Sequence, residues 1–173
     1  MLFMDRTTFV RAIGSLGLAA LAGPLQAQTL AAPRGRVVLT VAGKIHNTNL
    51  GGQALFDMAM LEALPQHSFT TRTPWTKAPL HFSGPLLRDV LGAVKANGTR
   101  IQATALNDYK VQIPVEDTQR HDVLMALRMN GEPMSVRTRG PLFIVYPFDA
   151  LPELRSVRYY ERSIWQLQAL DIE

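Results

Sequence analysis

Phe82-Ser83-Gly84-Pro85-Leu86-Leu87-Arg88-Asp89-Val90-Leu91 is the stretch around which the rest of the 173-residue chain is organised. Small turn-forming residues lead into a compact apolar pattern. Pro85 suits the first position of a helix, where its missing N–H leaves no bond unmade. Leu86, Leu87, Val90 and Leu91 then share one face, and Asn97-Gly98 is expected to close the helix.

Upstream, Arg36 to Gly43 is rich in β-branched residues and ends at glycine, which predicts a first strand. Ala54 to Leu64 carries Leu55, Met58, Ala59, Leu61 and Ala63 at mostly helical spacing, and Pro65 stops it. Ser68 to Thr71 reads as a second strand, followed by a proline-rich loop from Arg72 to Phe82 that holds Trp75. Downstream, Thr99 to Leu106 and Lys110 to Val115 read as strands joined across Asn107-Asp108, a turn-forming pair. Glu116-Asp117 is expected to start a helical turn. Val123 to Met129 fits helix or strand, and Asn130-Gly131 is a tight turn. Leu142 to Tyr146 is a buried strand between prolines, Pro152 to Arg162 a short helical turn, and Ser163 to Ile172 a last strand. Strands and helices mix without regular alternation, which predicts an α+β fold in a single domain.

Apolar residues make up 47% of the chain and charged residues 18%, which excludes general disorder. The chain has no cysteine, so disulfides, zinc ribbons, iron–sulfur clusters and thiolate-bound metals are excluded. The net charge of +4 comes from scattered arginines, not a concentrated basic face, so no nucleic-acid partner is expected.

Residues 1–27 read as a secretory signal: a short basic start around Arg6 and Arg11, an apolar run from Ala12 to Ala22, and small residues beyond. Leu25-Gln26-Ala27 is the expected cleavage site and Ala20-Leu21-Ala22 the alternative, with an uncleaved anchor as a further alternative. The run is shorter than the roughly 20 residues a membrane span needs. Arg6-Thr7-Thr8-Phe9-Val10 looks like a twin-arginine signal whose second arginine is threonine, so the general secretory route stands beside the twin-arginine one. The expectation is a bacterial periplasmic protein with a flexible lead-in at residues 28–36 and a domain over residues 37–173.

His46, His67, His81 and His121 show no metal-ligand spacing, and Asp57, Glu62, Asp108, Glu116 and Asp117 show no acid/base pairing. There is no nucleophile elbow and no phosphate loop. In the last third, Arg137, Arg139, Arg155, Arg158 and Arg162 lie among Tyr146, Phe148, Tyr159, Tyr160 and Trp165. Arginine forks bind carboxylate or phosphate, and aromatic faces stack on planar rings, so this set fits a small anionic or planar ligand. A solvated arginine face beside an aromatic core accounts for the same composition.

The order of these motifs resembles the sulfite-oxidase-type molybdopterin-binding domain. Phe82 to Leu91 is similar to its Trp-Ser/Thr-Gly-x-x-Leu-x-Asp-x-Leu segment. Asn107-Asp108-Tyr109 with Ile113-Pro114 resembles its Ala-Asp-Gly-Tyr…Leu-Pro hairpin. Asn130-Gly131-Glu132-Pro133-Met134 followed by Arg139-Gly140-Pro141-Leu142 resembles Asn-Gly-x-Pro-Leu…His-Gly-x-Pro-x-Arg, and Tyr146-Pro147 its Val-Pro. The likeness runs from about Val37 to Ile172. It implies the mixed-sheet sulfite oxidase fold and, with molybdopterin as cofactor, an oxidoreductase.

Two positions depart from that family. Its molybdenum-binding cysteine falls in the stretch Phe69-Thr70-Thr71-Arg72-Thr73, where threonine stands instead. The lysine of its Ser-Val-Lys-Trp motif, which helps hold the pterin, corresponds to Trp165 in Ser163-Ile164-Trp165-Gln166. The resemblance then implies that Thr70, Thr71 and Arg72 line the former metal position, with Asn107, Asp108 and Tyr109 on a neighbouring loop. Arg137, Arg139 and Arg162 supply positive charge, and Trp165 faces the pterin position. Three functions follow. The first is a periplasmic ligand-binding or sensory module without molybdenum catalysis. The second is a molybdopterin-dependent oxidoreductase with hydroxyl or open coordination. The third is an accessory subunit docking a membrane or redox partner. The missing thiolate argues for the first, because a neutral hydroxyl is a poor ligand for this metal.

Overall fold

The computed structural model describes residues 30–173. The expected signal, residues 1–27, and the first two residues of the lead-in lie outside them. Eleven strands and four short helices form in the described residues. The first strand, β1 (Val37–Gly43), buries Leu39 and Val41 and exposes or half-exposes its other residues, the alternation of a half-buried strand. It pairs antiparallel with β2 (Ala54–Asp57) and parallel with the C-terminal β11 (Leu167–Ile172). Beyond β11 lie β5 (Arg100–Ala105) and β6 (Lys110–Pro114), giving a mixed five-stranded sheet of order β2-β1-β11-β5-β6. A second, antiparallel sheet runs β3 (Gln66–Thr71), β4 (Leu80–Pro85), β8 (Arg128–Met129), β9 (Glu132–Pro133). A two-stranded sheet joins β7 (Leu124–Ala126) to β10 (Phe143–Val145). One core of side chains, including Phe56, Phe82, Leu87, Ile101, Leu124, Phe143 and Leu170, unites all three sheets.

The α+β architecture stands as expected, but several boundaries move. Ala54 to Leu64 is not one helix. Ala54–Asp57 is strand β2, and only Met58–Glu62 coils, as α1. Asp57 makes the switch: its carboxylate accepts from the Met60 N–H at 2.9 Å, the N-cap bond, and from the Arg34 and Gly35 N–H groups at 2.8 and 2.7 Å. Those backbone donors hold its pKa below the ordinary carboxylate value.

Ser83-Gly84-Pro85 likewise belongs to a strand, not to a helix start. The helix α2 (Leu87–Ala93) begins after Leu86, and Lys95, at φ +48°, turns the chain away before Asn97-Gly98 is reached. Long-range bonds override the local signal. The Leu127 N–H donates to the Ser83 carbonyl and the Leu87 N–H to Val123, both at 2.8 Å, sewing this stretch onto the chain around β7. A Cβ on Gly84 would overlap the Met125 backbone oxygen, so close strand approach is what requires glycine there. Val123 to Met129 resolves into strands, the supposed loop ends in β4, and Ser163 to Gln166 precedes the last strand instead of opening it. α3 (Val115–Arg120) carries Glu116-Asp117 in its first turn, the helical turn expected there, and α4 (Val157–Arg162) follows a 3-10 turn at Pro152–Leu154.

Candidate functional site

Three irregular segments converge beside the end of β5. The first is the β5–β6 turn. Asp108 takes φ +63°, the Tyr109 N–H donates to Asn107 Oδ1 at 3.2 Å, and the Ala105 N–H donates to the Tyr109 carbonyl at 2.9 Å. Asn and Asp tolerate that left-handed backbone, which is why this pair makes the turn. The second is Ser163 to Gln166. The Ile144 N–H bonds to the Ile164 carbonyl, Gln166 at φ +54° donates to the Arg139 carbonyl, and the Gln166 carbonyl accepts from Leu106. This segment is thereby pinned between β10 and the turn. The third is the loop 72–79, braced by a 3.0 Å contact between the Thr73 and Thr76 hydroxyls.

Trp75 and Trp165, the only two tryptophans of the chain, meet edge to face with ring centroids 5.1 Å apart and planes at 83°. Tyr160 of α4 stands edge-on to Trp75 at 6.3 Å and 69°. These rings, with Tyr109, Asn107, Ala105, Glu161, Ser163 and Ile164, bound an open cleft of about 390 Å³. That volume lies within the usual range for small-molecule sites.

Of the residues expected at the site, Asn107, Tyr109 and Trp165 come together in this cleft, while Asp108 shapes the turn beside it. Arg72 lines a smaller hollow of about 190 Å³ that shares Tyr160 with the cleft. Thr70 is exposed and contacts His81 Nδ1 at 3.3 Å. Thr71 is buried, its hydroxyl donating to the Arg72 carbonyl and accepting from the Asp149 N–H at 3.0 Å.

The arginines do not line the cleft. Arg162 pairs with Asp117 at 2.7 Å, and the Tyr146 hydroxyl donates to the same carboxylate oxygen, also at 2.7 Å. Burial and the Asp117 charge raise the Tyr146 pKa, so its hydroxyl stays protonated and donates. Arg72 and Arg155 share Asp149 at 3.7 and 3.2 Å. Arg139 stacks over Trp165 with its guanidinium carbon 5.6 Å from the ring centroid, outside the lining. Arg137 sits exposed on the 3-10 turn Val136–Thr138. Neither Arg137 nor Arg139 has a carboxylate within 4.0 Å among the described residues.

Sequence reasoning passed over Trp75, Glu161 and Asp149 as site residues. The rarity of tryptophan was the available signal for Trp75. Little in the local sequence marks Asp149: apart from nearby Arg155, its partners Thr71 and Arg72 lie more than seventy residues away.

Fold and cleft together define a small mixed-sheet domain with a ligand-sized hollow at the junction of its irregular segments. The model for the oxidoreductase molybdopterin-binding domain matches residues 39–158, well over half the chain, and the chain belongs to that family. No curated protein matches it.

The family binds molybdopterin, but the donors present here do not suit its metal. The chain has no cysteine, and the Thr71 hydroxyl is spent on two backbone groups. Among the described residues no three of His, Cys, Asp and Glu converge. Trp165, where the family's pterin-holding lysine falls by resemblance, offers only an indole N–H.

Proposed function

We propose that this chain is an exported, periplasmic member of the family that has given up ordinary molybdenum catalysis. It uses the cleft lined by Trp75 and Trp165 to bind a small molecule and report it to a membrane or redox partner. The observation that carries this reading is the pairing of an aromatic, ligand-sized cleft with a threonine hydroxyl already occupied by backbone. Binding sites of this kind are mostly apolar with a few placed polar groups, as the cleft is.

The test is the molybdenum and pterin content of the protein isolated from the periplasmic fraction of its own cells. Neither group is expected, and the polypeptide is expected to begin near Gln28. Stoichiometric metal and pterin would overturn the reading in favour of an oxidoreductase with hydroxyl or open coordination. Recovery only from the cytoplasm, with an intact N-terminus, would overturn the export assignment.

A further inference from the structure

We propose that the ligand of the cleft is a methylated ammonium cation, held as in an aromatic cage. This rests on the reading that the cleft binds a small molecule and names the chemistry of that molecule. Four of the lining side chains are electron-rich rings, Trp75, Trp165, Tyr109 and Tyr160, and the only charged one is Glu161. The rings stand at steep angles to one another, 83° between the two indoles and 69° between Trp75 and Tyr160, so they form walls and not a stack. Rings at such angles enclose a compact group, and it is their faces, not their positive edges, that attract a cation, whereas a flat ligand stacks best on parallel faces. A cation near the face of tryptophan or tyrosine is attracted by the ring quadrupole, with tryptophan the strongest partner.

Three of the neighbouring arginines are already neutralised. Arg162, Arg72 and Arg155 are each bound to a carboxylate, so none is free to draw an anion into the cleft. Arg139, with no carboxylate within 4.0 Å among the described residues, lies over Trp165 outside the cleft wall, so its charge opposes a cation at that ring, and the cage relies on the faces of Trp75, Tyr109 and Tyr160 and on Glu161. Glu161 has no basic partner within 4.0 Å among the described residues and supplies the one negative charge at the rim. The Ser163 hydroxyl donates its proton to the Tyr159 carbonyl, so it offers no donor to an anion in the cleft. A primary ammonium brings three N–H donors, and the Glu161 carboxylate is the only charged acceptor in the lining to receive them. A quaternary ammonium brings none, and it is the cation that such a wall desolvates at least cost.

The two tryptophans of the chain are both cleft walls, so their emission reports occupancy directly. The full chain is titrated with tetramethylammonium and choline, with dimethylbutanol as the uncharged carbon isostere of choline, and with benzoate and nicotinate as planar anions. Saturable quenching or a spectral shift is expected with both ammonium compounds, at least about tenfold tighter for choline than for its isostere. Glu161→Gln, an exposed position, is expected to weaken choline about two- to fivefold. Equal binding of choline and its isostere would overturn the cage, leaving a merely apolar cleft. Saturable binding of benzoate or nicotinate without ammonium binding would overturn the cage but keep the small-molecule reading. No response to any of the five probes would overturn the cage, and unchanged melting temperatures with all of them would count against the small-molecule reading as well.

Discussion

Tyr146→Phe is the sharpest probe of how the cleft is held in place. Residue 146 is fully buried, and its ring packs between Tyr159 at 5.3 Å and Phe148 at 6.3 Å. Phenylalanine keeps that packing and deletes only the hydroxyl that donates to Asp117 Oδ2 at 2.7 Å. A hydrogen bond to a charged acceptor contributes about 1.5–3 kcal/mol. Arg162 still pairs with the same oxygen in the variant, at 2.7 Å, so the carboxylate is not orphaned and the cost falls near the lower end, about 1.5 kcal/mol.

Arg162→Met is the harsher change. Asp117 and Arg162 retain only 10% and 20% of their side-chain exposure, and removing one partner of such a pair costs about 3 kcal/mol. The two donors share one acceptor, so the double variant should depart from additivity by at least about 0.5 kcal/mol. Urea unfolding followed by far-UV circular dichroism measures all three, with slopes of about 1–3 kcal/mol/M. A Tyr146→Phe variant within about 0.5 kcal/mol of the parent, or an additive double variant, would refute the shared-carboxylate reasoning. The same bond has a pH signature. The folded phenol titrates above its unfolded value of 10.0, so its contribution is complete below pH 10.0 and is lost as pH rises beyond it. Tyr146→Phe should lack that part of the alkaline loss.

Other consequences are equally direct. Asp57 has a folded pKa below its unfolded 3.8, so its share of stability is present above that value and fades as pH falls further. Asp57→Asn should therefore flatten the acid limb of the stability profile, and an unchanged limb would remove Asp57 from its capping role. Gly84→Ala should destabilise the domain by about 1–3 kcal/mol, because the new methyl meets the Met125 carbonyl and not a side chain that can move. A melting temperature equal to the parent's would contradict the close approach of β4 and β7. Arg139 holds φ +78°, so Arg139→Gly relieves the backbone while removing the cation from Trp165. Folding should persist with altered tryptophan emission, and an emission spectrum identical to the parent's would place the guanidinium elsewhere.

The turns were legible because their chemistry is local. Asn107-Asp108 and Asn130-Gly131 carry the residues that tolerate positive φ, and Asp108, Asn130 and Gly131 adopt +63°, +53° and +84°. Strand β1 was legible from its β-branched run, and the family from the order of its motifs. The absence of cysteine needed no structure at all and already set this chain apart from thiolate-bound molybdenum chemistry.

Elsewhere distant contacts overruled the local pattern. Ser83 to Pro85 reads as a helix entry, but backbone bonds to the chain around β7 draw it into a strand, since its unpaired N–H and C=O groups gain more from that ladder than from an early helical turn. Asp57 ends one element and starts another through donors both near and far. The charge of the cleft followed the same rule. Composition showed arginines among aromatic residues, and either an anion site or a solvated face fitted. Pairing across the fold assigned the carboxylates: Asp117 went to Arg162, forty-five residues away, and Asp149 to Arg72 and Arg155. Coulomb interactions act through space, so the sign of a site depends on which charges folding brings within a few ångströms, and in this protein folding left four rings and Glu161 facing the cleft.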